Sequence, residues 1–184
     1  LKLMRSHGMT TLTLDRHRGR AFSYDVVELG YNYRLDEMRA ALGLVQLDQL
    51  ADWNNSRRKL VLLYRSLLET VLGVSVPFAN FNVDQASCHI MPILLAPGID
   101  RSSVMRGMRG SGIQTSIHYP AIHTFSYYRA KYPSQLALTE DVASRQLTLP
   151  LYPTMTGDQV DRVVSGLSDA VAAAGCKEKT ALRA

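Results

Sequence analysis

ELGYNYRLDEMRAALGLVQLDQL, residues 28–50, is the stretch on which the reading of the chain turns. Gly30-Tyr31-Asn32-Tyr33-Arg34 makes a turn, and a strongly apolar helical pattern starts directly behind it. Asp36 stands where an N-cap belongs, since a carboxylate there accepts from the free amides of the first helical turn. Met38, Leu42 and Val45 then form one stripe, and Ala40, Leu44 and Leu47 form another. An ordinary surface helix has one apolar stripe. Two predict a helix covered on more than one side, as at a domain or subunit interface. Gly43 costs about 1 kcal/mol against alanine, which suggests a closely approaching backbone. Asn32, between two aromatic rings, offers two donors and an acceptor. Holding a phosphate oxygen is one use for it, and bonding its own turn is the other.

Outward from this stretch, residues 1–7 read as the end of an element closed by Gly8, and residues 10–24 as a polar, basic loop. After Leu50 a second helix is expected, with Leu60, Leu63, Leu67 and Val71 on one face, Arg57-Arg58-Lys59 toward water, and Gly73 as its end. CHIMPILLA is an apolar run of strand length in which Pro92 suggests an edge or a bulge. Residues 101–109 predict a short helix capped by Asp100 or Ser102. IQTSIHY reads as a strand, Tyr127-Tyr128 as a helical turn broken by Pro133, and residues 139–145 as a helix. LTLPLYP is extended, and Thr156 caps a last amphipathic helix with Val160, Val163, Val164 and Leu167 on its apolar face. The tail after Ala174 reads as frayed. Strands alternating with helices imply a mixed sheet covered by helices.

Composition narrows the classes. The chain has 184 residues, 46% apolar and 20% charged, which is the make-up of a globular protein. It contains no apolar run long enough to span a bilayer, and LKLMRSHG lacks the apolar segment of a secretory leader. The net charge of +5 permits a polyanionic partner. The basic residues are scattered, however, and no helix-turn-helix or zinc-finger spacing accompanies them, which argues against nucleic acid. Cys88 and Cys176 are too few and too far apart for a disulfide framework or a metal site. They read as free thiols of a cytoplasmic protein.

Two further places carry chemistry-bearing side chains. His118, Tyr119 and His123 fall where an expected strand gives way to a loop, the usual position for groups that meet a ligand. The five-residue spacing of the histidines fits neither a helical metal pair nor an alternating strand pair. They suit hydrogen bonds to hydroxyls or phosphates, or packing against Tyr127. His89 reads as a structural histidine.

RSHGM, GYNYRLDEMRAALGLVQLDQL, RRKLVLLYRSLL, GIQTSIHYPAIH, YYRAKYP and LTLPLYPTMT occur in this order. Together they resemble the pyridoxal-phosphate (PLP)-dependent sugar aminotransferases of the DegT/DnrJ/StrS type, from about Leu3 to Leu167. The resemblance implies an α/β protein of fold type I: residues 1–50 as the end of the large, cofactor-binding domain, 51–175 as the small C-terminal domain, 176–184 as a disordered tail. It implies that Asn32 reaches across a homodimer interface to the cofactor phosphate, and that His118, Tyr119 and His123 border the sugar site. The expected substrates are a nucleotide-linked keto-sugar and an amino-acid donor, with glutamate foremost. A PLP-dependent sugar dehydratase of the same family and a non-catalytic binding module remain alternatives. The family's Schiff-base lysine lies in a segment that none of Lys2, Lys59, Lys131, Lys177 and Lys179 matches. No catalytic residue is therefore expected in this chain, and that segment is expected upstream of residue 1.

Overall fold

The computed structural model describes residues 1–10, 18, 23, 25–33 and 35–181, the last six as backbone only. The expected loop at 10–24 lies mostly outside the described residues, as does the side chain of Cys176. The chain divides into two compact units, Leu1–Leu50 and Ala51–Ala184.

In the first unit, turns around residues 1–9 and the strand-like stretch 25–33 are stitched by single bridges, Ser6 to Asn32 and Met9 to Val26. Gly8 has φ +67°, and a Cβ there would overlap the carbonyl of Glu28. Only glycine fits, because both the left-handed backbone and the close approach exclude a side chain. Tyr31 N–H donates to the Met4 carbonyl and Tyr33 N–H to that of Arg5. These bonds hold the stretch around Asn32 extended.

Helix α1, Glu37–Leu68, runs as one continuous helix where the sequence suggested two. Asp36 caps it, its carboxylate accepting from the Arg39 amide at 2.9 Å. The expected separation into two helices after Leu50 does not occur, and Asn54 and Asn55 lie inside the helix. Asparagine opposes helices by offering its amide to the backbone, but here Asn54 accepts from Arg57 and Asn55 from Arg58, one turn on. Nor do those arginines reach for water. Arg57 donates to the Ser87 carbonyl, Arg58 to those of Val83 and Ala86, and Arg65 to those of Phe78 and Phe81. The planar guanidinium can serve several carbonyls at once, so three arginines tie the irregular segment 78–87 to α1. Cys88, at the end of that segment, is a free, half-buried thiol. Burial pushes it up, against the pull of Arg58, Arg65 and Arg57.

The second unit contains a three-stranded sheet, β1 (Val74–Ser75), β2 (Met91–Leu95) and β3 (Gln146–Leu149), in the order β1-β2-β3. Both pairings are antiparallel, not mixed as expected. Pro92 therefore sits in the central strand. It pairs with Thr148, which spends its own N–H and C=O on Ser116. The Pro92–Thr148 pair needs no ladder bond, and the missing N–H faces the side that β1, ending opposite Leu94, does not reach. Locally, Pro92 occupies an edge. The expected strand at IQTSIHY reduces to the single bridge from Ser116 to Thr148.

Met91, Ile93, Leu95, Leu147 and Leu149 share one face of the sheet with exposures of 2% or less. The core on that face is completed by Tyr64 and Leu68 of α1, by Val104 and Met108 of α2 (Arg101–Gly110), and by the apolar face of a C-terminal helix. Asp100 caps α2 by accepting from the Ser102 and Ser103 amides. A Cβ on Gly107 would lie 2.9 Å from that of Ala170, so this glycine sets how closely α2 approaches the last helix. On the opposite face, His118 of the irregular segment 116–124 bonds to Gln146 and Thr148; α3 (Ser126–Lys131) packs on the end of that segment, and α4 (Ala137–Arg145) meets β2. Helix α4 begins two residues before the expected Thr139.

The last helix, α5 (Gly157–Ala181), buries Val160, Val163, Val164 and Leu167 as expected, and Thr156 Oγ1 accepts from the Gln159 amide. Its backbone continues to Ala181, past the expected end near 175, through a run of alanine, lysine and glutamate that favours helix. No helix among the described residues is long and apolar enough to cross a membrane.

Candidate functional site

Asn32 lies in the first unit. Tyr31 and Tyr33 stack with centroids 5.2 Å apart and planes 11° apart. In an extended chain alternate residues point to opposite sides, so the stacked rings take one side and Asn32 the other. All three side chains are exposed. The turn reading would have Asn32 bond its own backbone, and among the described residues no such bond exists. Among the described residues the Asn32 amide has no hydrogen-bond partner.

His118, Tyr119 and His123 come together in the second unit, around a hollow of about 750 Å³. Its apolar and aromatic wall includes Tyr128, Tyr132, Leu138 and Val142. The His118 backbone N–H donates to Gln146 Oε1 at 3.0 Å, and its Nδ1 lies 3.0 Å from Thr148 Oγ1. Gln146 and Thr148 are buried polar residues on the sheet face opposite the core. The His118 ring meets that of Tyr119 edge-on at 4.9 Å. Tyr119 itself is 73% exposed and open to a ligand.

His123 is anchored differently. Its Nε2 lies 2.9 Å from Glu140 Oε1, and its side chain is 12% exposed. The same oxygen accepts from the Leu136 amide at the start of α4 at 3.2 Å. The His123 hydrogen bond first, and the Leu136 amide second, hold the Glu140 carboxyl below its usual range. One residue thus caps α4 and orients His123. Lys131 sits over Tyr127 and Tyr132 at 5.8 and 5.6 Å, close enough for cation–π attraction.

His118 also borders a second hollow, of about 440 Å³, with His89, Tyr152 and Arg162 in its wall. His89, read from sequence as purely structural, therefore faces open space. The sequence reading missed Gln146, Thr148 and Glu140. The signal for the first two was visible: QLTL places two polar residues two apart in an otherwise apolar strand, so they share a face. Glu140 carried no such signal, because its partner lies 17 residues away.

A polar pair in an aromatic-lined hollow suits a ligand with hydroxyls and a flat or apolar part. The sequence model of the DegT/DnrJ/EryC1/StrS aminotransferase family matches residues 1–168. The chain belongs to that family. Among solved structures it is similar to Helicobacter pylori PseC, an aminotransferase involved in the biosynthesis of pseudoaminic acid, with 23% identity and a TM-score of 0.80. That likeness covers 94% of this chain and 45% of PseC, and at this identity it speaks for the fold. DesV of S. venezuelae, solved with a ketimine intermediate, is 26% identical with a TM-score of 0.75, over 91% of this chain and 42% of DesV. The sugar aminotransferase CalS13 of Micromonospora echinospora is 26% identical with a TM-score of 0.76, over 91% and 43%. The chain thus spans less than half the length of these relatives. The fold is that of the type I PLP aminotransferases, and the family is PLP-dependent; PLP and PMP forms of a Streptococcus pneumoniae relative are among the solved structures.

Proposed function

We propose that the chain supplies the Asn32 turn and the small domain of a PLP-dependent aminotransferase. The enzyme would move an amino group from glutamate to a nucleotide-linked keto-sugar, as a cytoplasmic homodimer. The observation that carries the reading is the family match over residues 1–168. Supporting it, His118, Tyr119 and His123 converge on one aromatic-lined hollow, as a sugar-site wall requires.

PLP, when bound, supplies the electron sink for amino transfer. Of this chain's residues, Asn32 fits the group as one hydrogen-bond partner of the phosphate, since its amide is exposed and, among the described residues, unspent. A phosphate has further oxygens to satisfy, so one side chain holds only part of it. No lysine here lies in a segment like the family's cofactor-lysine segment, and we expect this chain alone to form no specific borohydride-stable adduct with PLP. His118 and His123 would orient sugar hydroxyls, and Tyr119, being exposed, would cover the sugar or the base.

The test uses the segment within a chain of its relatives' length, given PLP, glutamate and a panel of nucleotide-linked keto-sugars. Amino-sugar formation matched by 2-oxoglutarate supports the proposal. Deoxygenation without glutamate consumption would replace it with the dehydratase reading. Retention of cofactor and sugar nucleotide without turnover would replace it with a binding module.

A further inference from the structure

The bonds around His118 contain more information than their distances, because two of the donors have no choice. The peptide N–H of His118 can only donate. The Gln146 atom facing it must therefore be the amide oxygen, Oε1, at 3.0 Å. That fixes the other end of the amide, Nε2, which can only donate and meets Thr148 Oγ1 at 2.6 Å. Thr148 Oγ1 accepts there, and its one hydroxyl proton is left to place. His118 Nδ1, 3.0 Å away, is the acceptor at hand. The alternative is an Nδ1–H that also donates to Thr148, which would strand the hydroxyl proton on a residue only 5% exposed. A buried donor left unpaired costs about 1–3 kcal/mol.

We infer that Gln146 and Thr148 are positioning residues that lock His118 as the Nε2–H tautomer. His118 then presents a fixed hydrogen-bond donor where the two hollows adjoin. Among the described residues Nε2 has no partner, and His118 lines both hollows. A ligand group meeting it must be an acceptor, such as a carbonyl, hydroxyl or phosphate oxygen. Only that last step rests on the proposed sugar-nucleotide reading.

The tautomer can be read directly without cofactor, substrate or turnover, so its failure and the failure of the proposed function are separate results. Solid-state 15N spectra of the 184-residue chain, labelled at histidine, need no tumbling monomer. They are taken well above the ordinary histidine pKa of about 6.5, and His118→Gln identifies the His118 signals by their loss. The expected spectrum has Nε2 protonated and Nδ1 unprotonated and hydrogen-bonded. Thr148→Ser should keep this pattern. Thr148→Val should move Nδ1 to the position of an unbonded nitrogen. Gln146→Glu should reverse the tautomer, because a carboxylate would accept from both the His118 amide and the Thr148 hydroxyl, leaving Thr148 to accept from Nδ1–H. A protonated Nδ1 in the parent chain overturns the inference. So does an Nδ1 signal indifferent to Thr148→Val, a substitution small enough to fold even if Gln146→Glu does not.

Discussion

The two halves of α1 carry similar apolar patterns and meet opposite fates. From Met38 to Leu47 the apolar side chains are open to solvent, with Met38 85%, Leu44 64% and Leu47 63% exposed. From Leu60 to Leu68 one face is buried, with Leu60 and Val61 in the core, Tyr64 at 0% and Leu68 at 2%, while Leu62 on the other side is exposed. Nothing in helical periodicity separates them. The C-terminal half has a sheet and two helices of its own unit to cover it, and among the described residues of its own unit the N-terminal half has no such cover. Gly43, expected to admit a close backbone, has none of the described residues outside its own helix backbone within 4 Å of where its Cβ would be. A helix with an apolar surface and no cover is the mark of an interface with something else, and in the reading proposed above that is a second subunit.

The sharpest way to break this contrast is to remove one side chain from each half. Tyr64 is fully buried and donates to the Pro150 carbonyl at 2.8 Å. Tyr64→Ala should cost about 3–5 kcal/mol in denaturant unfolding of the chain. Leu44→Ala should cost no more than about 0.5 kcal/mol. Equal costs would mean that the N-terminal half is packed after all.

The second comparison is in association. Each apolar side chain that a partner covers contributes about 1.5–3 kcal/mol. Leu44→Lys should therefore weaken self-association of the chain roughly 10- to 150-fold in sedimentation equilibrium. A parent chain that stays monomeric over roughly a hundredfold concentration range, where such an interface would assemble, would leave the exposed half of α1 unexplained.

Asn32 sharpens the contrast from the functional side. In a chain of its relatives' length, Asn32→Ala should leave the melting temperature nearly unchanged while weakening PLP retention. A hydrogen bond to a charged group is worth about 1.5–3 kcal/mol, or roughly 10- to 150-fold in affinity. Cofactor retained as tightly as in the parent would reduce Asn32 to a turn residue.

The smallest effects belong to the second unit alone. Asp100→Ala removes the cap of α2 and should cost about 1 kcal/mol. The Ser103 hydroxyl first, then the Ser102 amide, hold the Asp100 carboxyl below its ordinary value, and Glu140 is lowered as well. Carboxyls lowered in the folded state stabilise it above their unfolded pKa, about 4, and lose that contribution as pH falls through the folded value. Acid titration of stability should therefore be shallower below about pH 4 in Asp100→Asn and Glu140→Gln than in the parent. An unchanged acid limb in both variants would show that these carboxylates do not contribute.

What the sequence determined by itself was everything set by neighbours a few residues apart. The caps Asp36, Asp100 and Thr156, the buried face of α5 and the ordered motifs that mark the family all follow from short-range spacing. So does the grouping of His118, Tyr119 and His123, six consecutive positions that any fold keeps close. The tertiary structure alone decided the rest. Asn54 and Asn55 do not end α1 because Arg57 and Arg58 occupy their amides, and those arginines turn inward because the carbonyls of 83–87 lie within reach. Pro92 can stand in a central strand because β1 is too short to ask for its N–H. His118 acquires Gln146 and Thr148, 28 and 30 residues away, only when the segment at Ser116 bridges β3. A hydrogen bond across that separation depends on where two distant stretches come to rest, and periodicity and capping, which act within a few residues, hold no record of it.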